Sequence, residues 1–362
     1  MNVIFQRLYP LGIILLLLSA CSPPQTSESE QGAASANQSD AATADKELLK
    51  QAQAIFSPLP TLEESRTKHP FTDEQVQLGK QLWYEPRLSL GNDISCNTCH
   101  GLNTYGVDNK PTSPGHNNAQ GVRNSPTALN AFLLDSQFWD GRAKDVEEQA
   151  KGPLINPIEM AMPNHAAVEQ KIAAIPGYAE QFQKHYADKG GKVSIDNIVH
   201  AIGAFERTLL TPSRWDKYLA GDIDALNQQE RNGLKAFMNQ GCIACHSGVN
   251  LGGDSMQKFG VVKGPYWDYI NTKQKDLGLF DLTKKEEDKF VFRTPGLRNV
   301  AKTAPYFHSG SVQDLGKAVE VMAELQLNHK LTKQEIDDIV AFLGSTTGEI
   351  PADALAVPTL PK

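Results

Sequence analysis

The chain has 362 residues, 40% of them hydrophobic and 21% charged. That is enough apolar material for two domain-sized cores and too much for a mostly disordered polypeptide. Its 35 Lys and Arg face 42 Asp and Glu, and the formal charge of -7 gives no electrostatic basis for binding nucleic acid or anionic lipid head groups.

At the start, Arg7, the apolar run Leu11 to Leu18 and the small residues before Cys21 have the order of a secretory leader. The run is too short to span a bilayer comfortably. Leu18-Ser19-Ala20-Cys21 is similar to the lipobox of bacterial lipoproteins, so residues 1–20 read as a lipoprotein signal peptide and Cys21 as the candidate lipid anchor. Cleavage by an ordinary signal peptidase, with Cys21 a bystander, is the alternative. Ser22 rather than Asp after Cys21 favours the outer over the inner membrane by analogy with lipoprotein sorting. From Ser22 to about Asp45 there is no aromatic residue and little else to bury, so residues 21–45 read as a flexible tether.

Further along, Thr72 with Gln75 forms a capping box that starts a helix. Ser194 can cap a second, whose Ile195, Ile198, Val199, Ile202, Phe205 and Leu209 make a long apolar face. His200 on that face reads as a satisfied structural histidine. Thr211-Pro212-Ser213 punctuates the helix and suggests a boundary between domains spanning 46–210 and 211–362. The charge run from Lys284 to Lys289 reads as a solvated face, and Thr332 with Glu335 caps a last helix carrying Ile336, Ile339, Val340 and Leu343. Alternating strands are scarce. The predicted fold is mainly α, with long irregular loops rich in Gly and Pro.

Setting Cys21 aside leaves Cys96, Cys99, Cys242 and Cys245, arranged as Cys96-Asn97-Thr98-Cys99-His100 and Cys242-Ile243-Ala244-Cys245-His246. Both have the C-x-x-C-H spacing of covalent c-type haem attachment, in which two thiols add to the vinyl groups of one porphyrin and the adjacent His reaches the iron. A thioredoxin-like pair does not require the His and sits in a βαβ unit, which the helical flanks do not suggest. A zinc site from two C-x-x-C pairs normally has them close in sequence. Two haems in two c-type cytochrome-like domains are therefore expected. A weak internal echo supports this: Gly79 and Trp83 precede the first motif as Gly233 and Phe237 precede the second.

Beyond the haem motifs, Ile94 to Asp108, Gly121-Val122-Arg123-Asn124-Ser125-Pro126, Phe138-Trp139-Asp140-Gly141-Arg142 and Ala304-Pro305-Tyr306-Phe307-His308-Ser309-Gly310 resemble the bacterial di-haem cytochrome c peroxidases. The resemblance runs from about Phe71 through Leu343. It implies His100 and His246 as proximal iron ligands, His116 as a removable distal ligand of the N-terminal peroxidatic haem, and Met322 as second ligand of the C-terminal electron-transfer haem. Met238 and Met256 are the other candidates for that last role. It further implies Glu159 as acid/base residue, Gln149 as its neighbouring distal amide and Trp139 as an aromatic relay between the haems. Read alone, Glu159 and Gln149 would be surface groups, His116 a loop histidine and Met322 core packing. The resemblance also implies calcium held by the Asn124 side chain and the backbone oxygens of Thr303 and Pro305, neutral donors suited to a hard cation.

The implied activity is reduction of hydrogen peroxide to water with electrons from a small periplasmic redox protein, a c-type cytochrome or a cupredoxin, by a homodimer in the periplasm. Two alternatives stand beside it. One is a relative that oxidises a protein side chain, like the di-haem enzyme that matures a tryptophan-derived quinone cofactor; that enzyme uses a Tyr ligand, against which Met322 argues. The other is a passive electron-transfer cytochrome, favoured if His116 is a permanent ligand.

Overall fold

The computed structural model describes residues 43–362; the expected signal peptide, the candidate anchor Cys21 and the expected tether up to residue 42 lie outside the described residues. Residues 43–45, expected in the tether, begin a helix that runs to residue 55. The described chain is mainly helical, with one two-stranded antiparallel sheet pairing Met256–Lys258 with Val291–Arg293.

Two helix pairs organise the molecule, and each is fixed by a glycine. In the first, the Asp73–Trp83 helix packs on the Ile195–Glu206 helix. Thr72 accepts from Gln75 N–H while the Gln75 side chain accepts from Thr72 N–H, closing the predicted capping box. Ser194 caps its partner as expected. At the crossing, a Cβ on Gly79 would fall inside the radius of the Ala201 carbonyl oxygen and meet Phe205 Cβ at 3.0 Å. Only glycine allows the two backbones so close.

The second pair repeats this solution. The Gln228–Asn239 helix packs on the Lys333–Ser345 helix, where a Cβ on Gly233 would run into the Asp338 carbonyl and meet Phe342 Cβ at 2.9 Å. One turn on, Trp83 stands edge-on to Phe205 with centroids 5.9 Å apart, and Phe237 faces Phe342 at 5.4 Å. The same two aromatics approach the motif histidines, Trp83 to His100 at 6.2 Å and Phe237 to His246 at 6.3 Å. The echo in the sequence is thus a glycine for the crossing and an aromatic that backs the histidine.

Around each pair lies an apolar cluster. The first gathers residues between Phe71 and Leu209, together with Ala354, and has Trp83, Tyr178, Phe182 and Phe205 fully buried. The second is built on Trp215, stacked against Tyr218 and met edge-on by Phe342 and Phe56. A third, of Phe259, Tyr266, Phe292 and Val321, lies within residues 259–325.

The chain ends cross the expected domain limits. Leu48, Ala52 and Phe56, four apart on one stripe and placed by the sequence in the first domain, pack in the second cluster. Ala354, from the second half, is buried in the first cluster. Lys80 pairs with Asp353 at 3.2 Å, Tyr84 Oη donates to Ala354 O, and Arg87 Nη2 donates to Pro361 O.

Candidate active site

Each C-x-x-C-H motif closes one tight turn. The His100 N–H donates to Cys96 O at 2.9 Å within the short Cys96–Cys99 helix, and the His246 N–H donates to Cys242 O at 3.0 Å. Cys96, Cys99, Cys242 and Cys245 are all free thiols, and none has been drawn into a disulfide. Burial pushes the Cys96 thiol up to about 12, the Glu206 charge adding to it, and the Cys242 thiol up to about 11. These thiols stay neutral at ordinary pH, a form compatible with addition to a vinyl group.

The histidines are oriented alike. His100 Nδ1 lies 3.0 Å from Pro126 O and 3.3 Å from Gly106 O, and His246 Nδ1 lies 3.1 Å from Leu251 O. A backbone carbonyl can accept only from N–H, so each ring carries its proton on Nδ1 and presents a bare Nε2. Burial lowers the pKa of both rings, keeping them neutral. A neutral imidazole with its second nitrogen anchored is the preferred form of a metal ligand, so the residues fit an axially bound haem iron.

His246, Cys242 and Cys245 line a large, mostly apolar cavity whose wall also includes Met322; neither Met238 nor Met256 lines it. Trp139, Asn124, Thr303 and Pro305 line the same cavity. Trp139 Nε1 donates to Asn124 O at 2.8 Å, and Asn124 Nδ2 donates to Lys110 O at 2.9 Å. The amide nitrogen being so fixed, the free end of Asn124 is its oxygen, as a hard cation requires.

The first-haem side is built by two loops. His116 sits in a 3-10 turn, followed by Asn117 and Asn118 at positive φ. Its N–H is shared between Ile158 O (3.0 Å) and Glu159 O (2.8 Å), and a Cβ on Gly115 would collide with the Ile158 carbonyl. The glycine is required for this contact, which brings His116 and Glu159 together. His116 Nδ1 is buried without a partner, and Nε2 lies 3.0 Å from Asn117 Nδ2. The Glu159 carboxyl accepts from Asn156 Nδ2 at 2.8 Å; burial raises its pKa, with Arg142 and that hydrogen bond pulling the other way. Gln149, half-buried on the Val146–Ile155 helix, makes no hydrogen bond to Glu159.

Several polar residues at this site have no role in the sequence reading. Arg123 grips Asp276 through two bonds of 2.6 and 2.8 Å and Asp140 through one of 2.6 Å, and Asp140 also holds Arg142 at 2.9 Å. This chain of ion pairs leads from Asp276 to the cation beside Glu159. His308 is enclosed by Phe292, Tyr266, Phe259 and Trp139, and burial takes its pKa down to about 4. Arg123, Asp140, Arg142 and His308 all stand inside the resembling segments, so a signal existed; Asp276 lies in none of them. His200 and His165 serve the structure and not the site: His200 Nδ1 pairs with Tyr186 Oη at 2.9 Å, and His165 Nε2 with Lys151 O at 3.1 Å.

Comparison with known proteins agrees with this geometry. A family model of the di-haem cytochrome c peroxidases matches residues 73–224, and one of cytochrome c matches residues 230–347. The chain is 48% identical to the cytochrome c551 peroxidase of Pseudomonas aeruginosa over 84% of this chain and 87% of that one. It is 47% identical to the cytochrome c551 peroxidase of Nitrosomonas europaea over 78% and 82%. Among solved structures, a MauG-like protein associated with microbial copper homeostasis is similar, with 27% identity, a TM-score of 0.70 and coverage of 83% of this chain and 96% of that one. With its paired haem motifs and this degree of likeness, the chain belongs to the di-haem cytochrome c peroxidase family.

Proposed function

We propose that this protein reduces hydrogen peroxide to two waters, using two protons from solvent and two electrons delivered singly by a small redox protein, a c-type cytochrome or a cupredoxin. The observation that carries the reading is Glu159: a half-buried carboxyl whose pKa is raised by desolvation, beside the loop that holds His116. When bound, the two c-type haems supply electron storage and an iron position open to peroxide. Cys96, Cys99 and His100 hold the first, in a domain of residues 46–210; Cys242, Cys245, His246 and Met322 hold the second, in a domain of residues 211–362.

Asn156 fixes one oxygen of Glu159, and the other is left to carry a proton. Burial disfavours its charged form, so Glu159 takes a proton from peroxide and returns it to the leaving oxygen at little cost. Gln149 orients the substrate from the adjoining helix. His116 caps the first site at rest, and its Gly-rich loop lets it leave. Trp139, between the cavity and the Asn124 loop, assists electron passage. Calcium binds at Asn124, Thr303 and Pro305 and ties the two loops together. The protein works in the periplasm as a homodimer, held by acylated Cys21 to the outer membrane. Among the described residues, no helix is long and apolar enough to cross a membrane.

To test this, the haem-loaded protein is reduced with a one-electron donor and mixed with peroxide while donor oxidation is followed. Wild type should consume two donor equivalents per peroxide, and Glu159→Gln should lose about 10²–10⁴ in turnover. No consumption by wild type, or equal rates in the variant, overturns the mechanism. Mass spectrometry of the N-terminal peptide decides the anchor, and light scattering with calcium added or chelated decides the dimer.

A further inference from the structure

Three arginines, Arg207, Arg293 and Arg298, are buried and a fourth, Arg123, is largely so, and three of these four have an acid. Arg123 holds Asp276 and Asp140, Arg207 holds Glu147, and Arg298 holds Asp216. The one without, Arg293, is 3% exposed and forms no ion pair with any described residue. Its Nε donates to Phe138 O at 3.1 Å and its Nη1 to Thr294 O at 3.3 Å, while Nη2 has no partner within the described chain. The backbone N–H of the same residue donates to Trp139 O at 2.8 Å. A guanidinium removed from water without an anion is costly, and burial draws the Arg293 pKa down to about 10. The chain tolerates this at the end of a strand, with three contacts holding the residue in place.

The missing anion can be identified from the cavity wall. Arg293 lines the same cavity as Cys242, Cys245, His246 and Met322, and no Asp or Glu lines it. Arg298, the other cation on that wall, is already neutralised by Asp216 at 2.8 Å. The cavity therefore offers one unpaired positive charge to whatever fills it. A porphyrin stitched to Cys242 and Cys245 brings carboxylates, its two propionates, into an otherwise acid-free space.

We propose that Arg293 is the cationic partner of a propionate carboxylate of the second haem, and so positions that haem against the Phe138–Trp139 segment. The planar guanidinium suits a carboxylate through paired N–H donors, a geometry that lysine does not reproduce. Because its Nε and backbone N–H hold the carbonyls of Phe138 and Trp139, Arg293 joins the haem edge to the aromatic relay through one residue. This rests on the second haem being attached at Cys242 and Cys245.

The test uses the haem-loaded full chain and two variants, Arg293→Gln and Arg293→Lys. Resonance Raman spectra report the propionate bending band, and spectroelectrochemistry reports each haem's midpoint potential. Loss of the cation should shift the bending band and lower the potential of the second haem, leaving the first unchanged. The Lys variant should keep most of the potential but still shift the band, because a point charge replaces a fork. An unchanged band and potential in both variants overturns the proposal. If Arg293→Gln does not accumulate folded, the band in Arg293→Lys decides alone, and its constancy refutes the contact. A pyridine haemochrome count separates the two readings: fewer than two haems in wild type means that the attachment reading, and not the arginine contact, has failed.

Discussion

Replacing Glu206 by Gln should change how stability depends on pH. Glu206 closes the Ile195–Glu206 helix, is 5% exposed, and has an Oε2 with no partner. The nearby cation, Arg207, is taken by Glu147 at 2.6 and 3.0 Å. Burial, with Glu147 adding repulsion and Arg207 offsetting some of it, lifts the Glu206 carboxyl from 4.5 to about 8. Between these values the folded protein binds a proton that the unfolded chain has released. Stability is therefore full below the ordinary carboxyl range and falls as pH rises towards 8. At 1.36 kcal/mol per pKa unit, the loss approaches about 5 kcal/mol by pH 9. Gln keeps the shape and cannot ionise. Urea unfolding of the haem-loaded protein at pH 5, 7 and 9 should show the variant gaining on wild type as pH rises, by several kcal/mol in all. Parallel pH profiles for the two proteins would refute the reasoning, since Glu206 would then be ionised or solvated in the native state.

Three further outcomes are expected. Arg123→Met strands the carboxylate of Asp276, whose side chain is 5% exposed, and leaves Asp140, 6% exposed, with Arg142 alone. It should cost about 3–5 kcal/mol in chemical denaturation, against less than about 1 for Lys333→Met at the exposed Asp337 pair; equal losses would contradict the burial argument. Gly115→Ala drives a methyl into the Ile158 carbonyl and must displace His116, so the ferric first haem should move from low to high spin by electron paramagnetic resonance. An unaltered spectrum would show that His116 is not its ligand. Met322→His exchanges a thioether for imidazole and should lower the potential of the second haem alone, measured by spectroelectrochemistry; no change would place the ligand elsewhere.

What was legible in the sequence was local. Thr72 with Gln75 and Thr332 with Glu335 are three residues apart, and both close in the structure as capping boxes. The charge run around Lys284 to Lys289 is largely exposed, and Lys289 pairs with Glu286 in its own turn. Gly79 and Gly233 were visible as an echo, but the reason for them, a carbonyl of a helix far along the chain, was not. The candidate site shows the same limit. His116 and Glu159 meet through backbone atoms, which no side-chain pattern reveals. The Arg123–Asp276 pair spans 153 positions and leaves no periodicity behind. Glu206 sits on a helix whose apolar face was correctly read, and its isolation follows only from Arg207 being committed to Glu147.

The exchange of chain ends bears on how the molecule is assembled. Because Phe56 is needed by the second cluster and Ala354 by the first, neither half can finish burying its interior from its own residues. During synthesis the earlier half must remain open on one side until the segment around Asp353 has emerged. A break in the polypeptide between the halves would leave them interlocked, each still gripped by a strap belonging to the other.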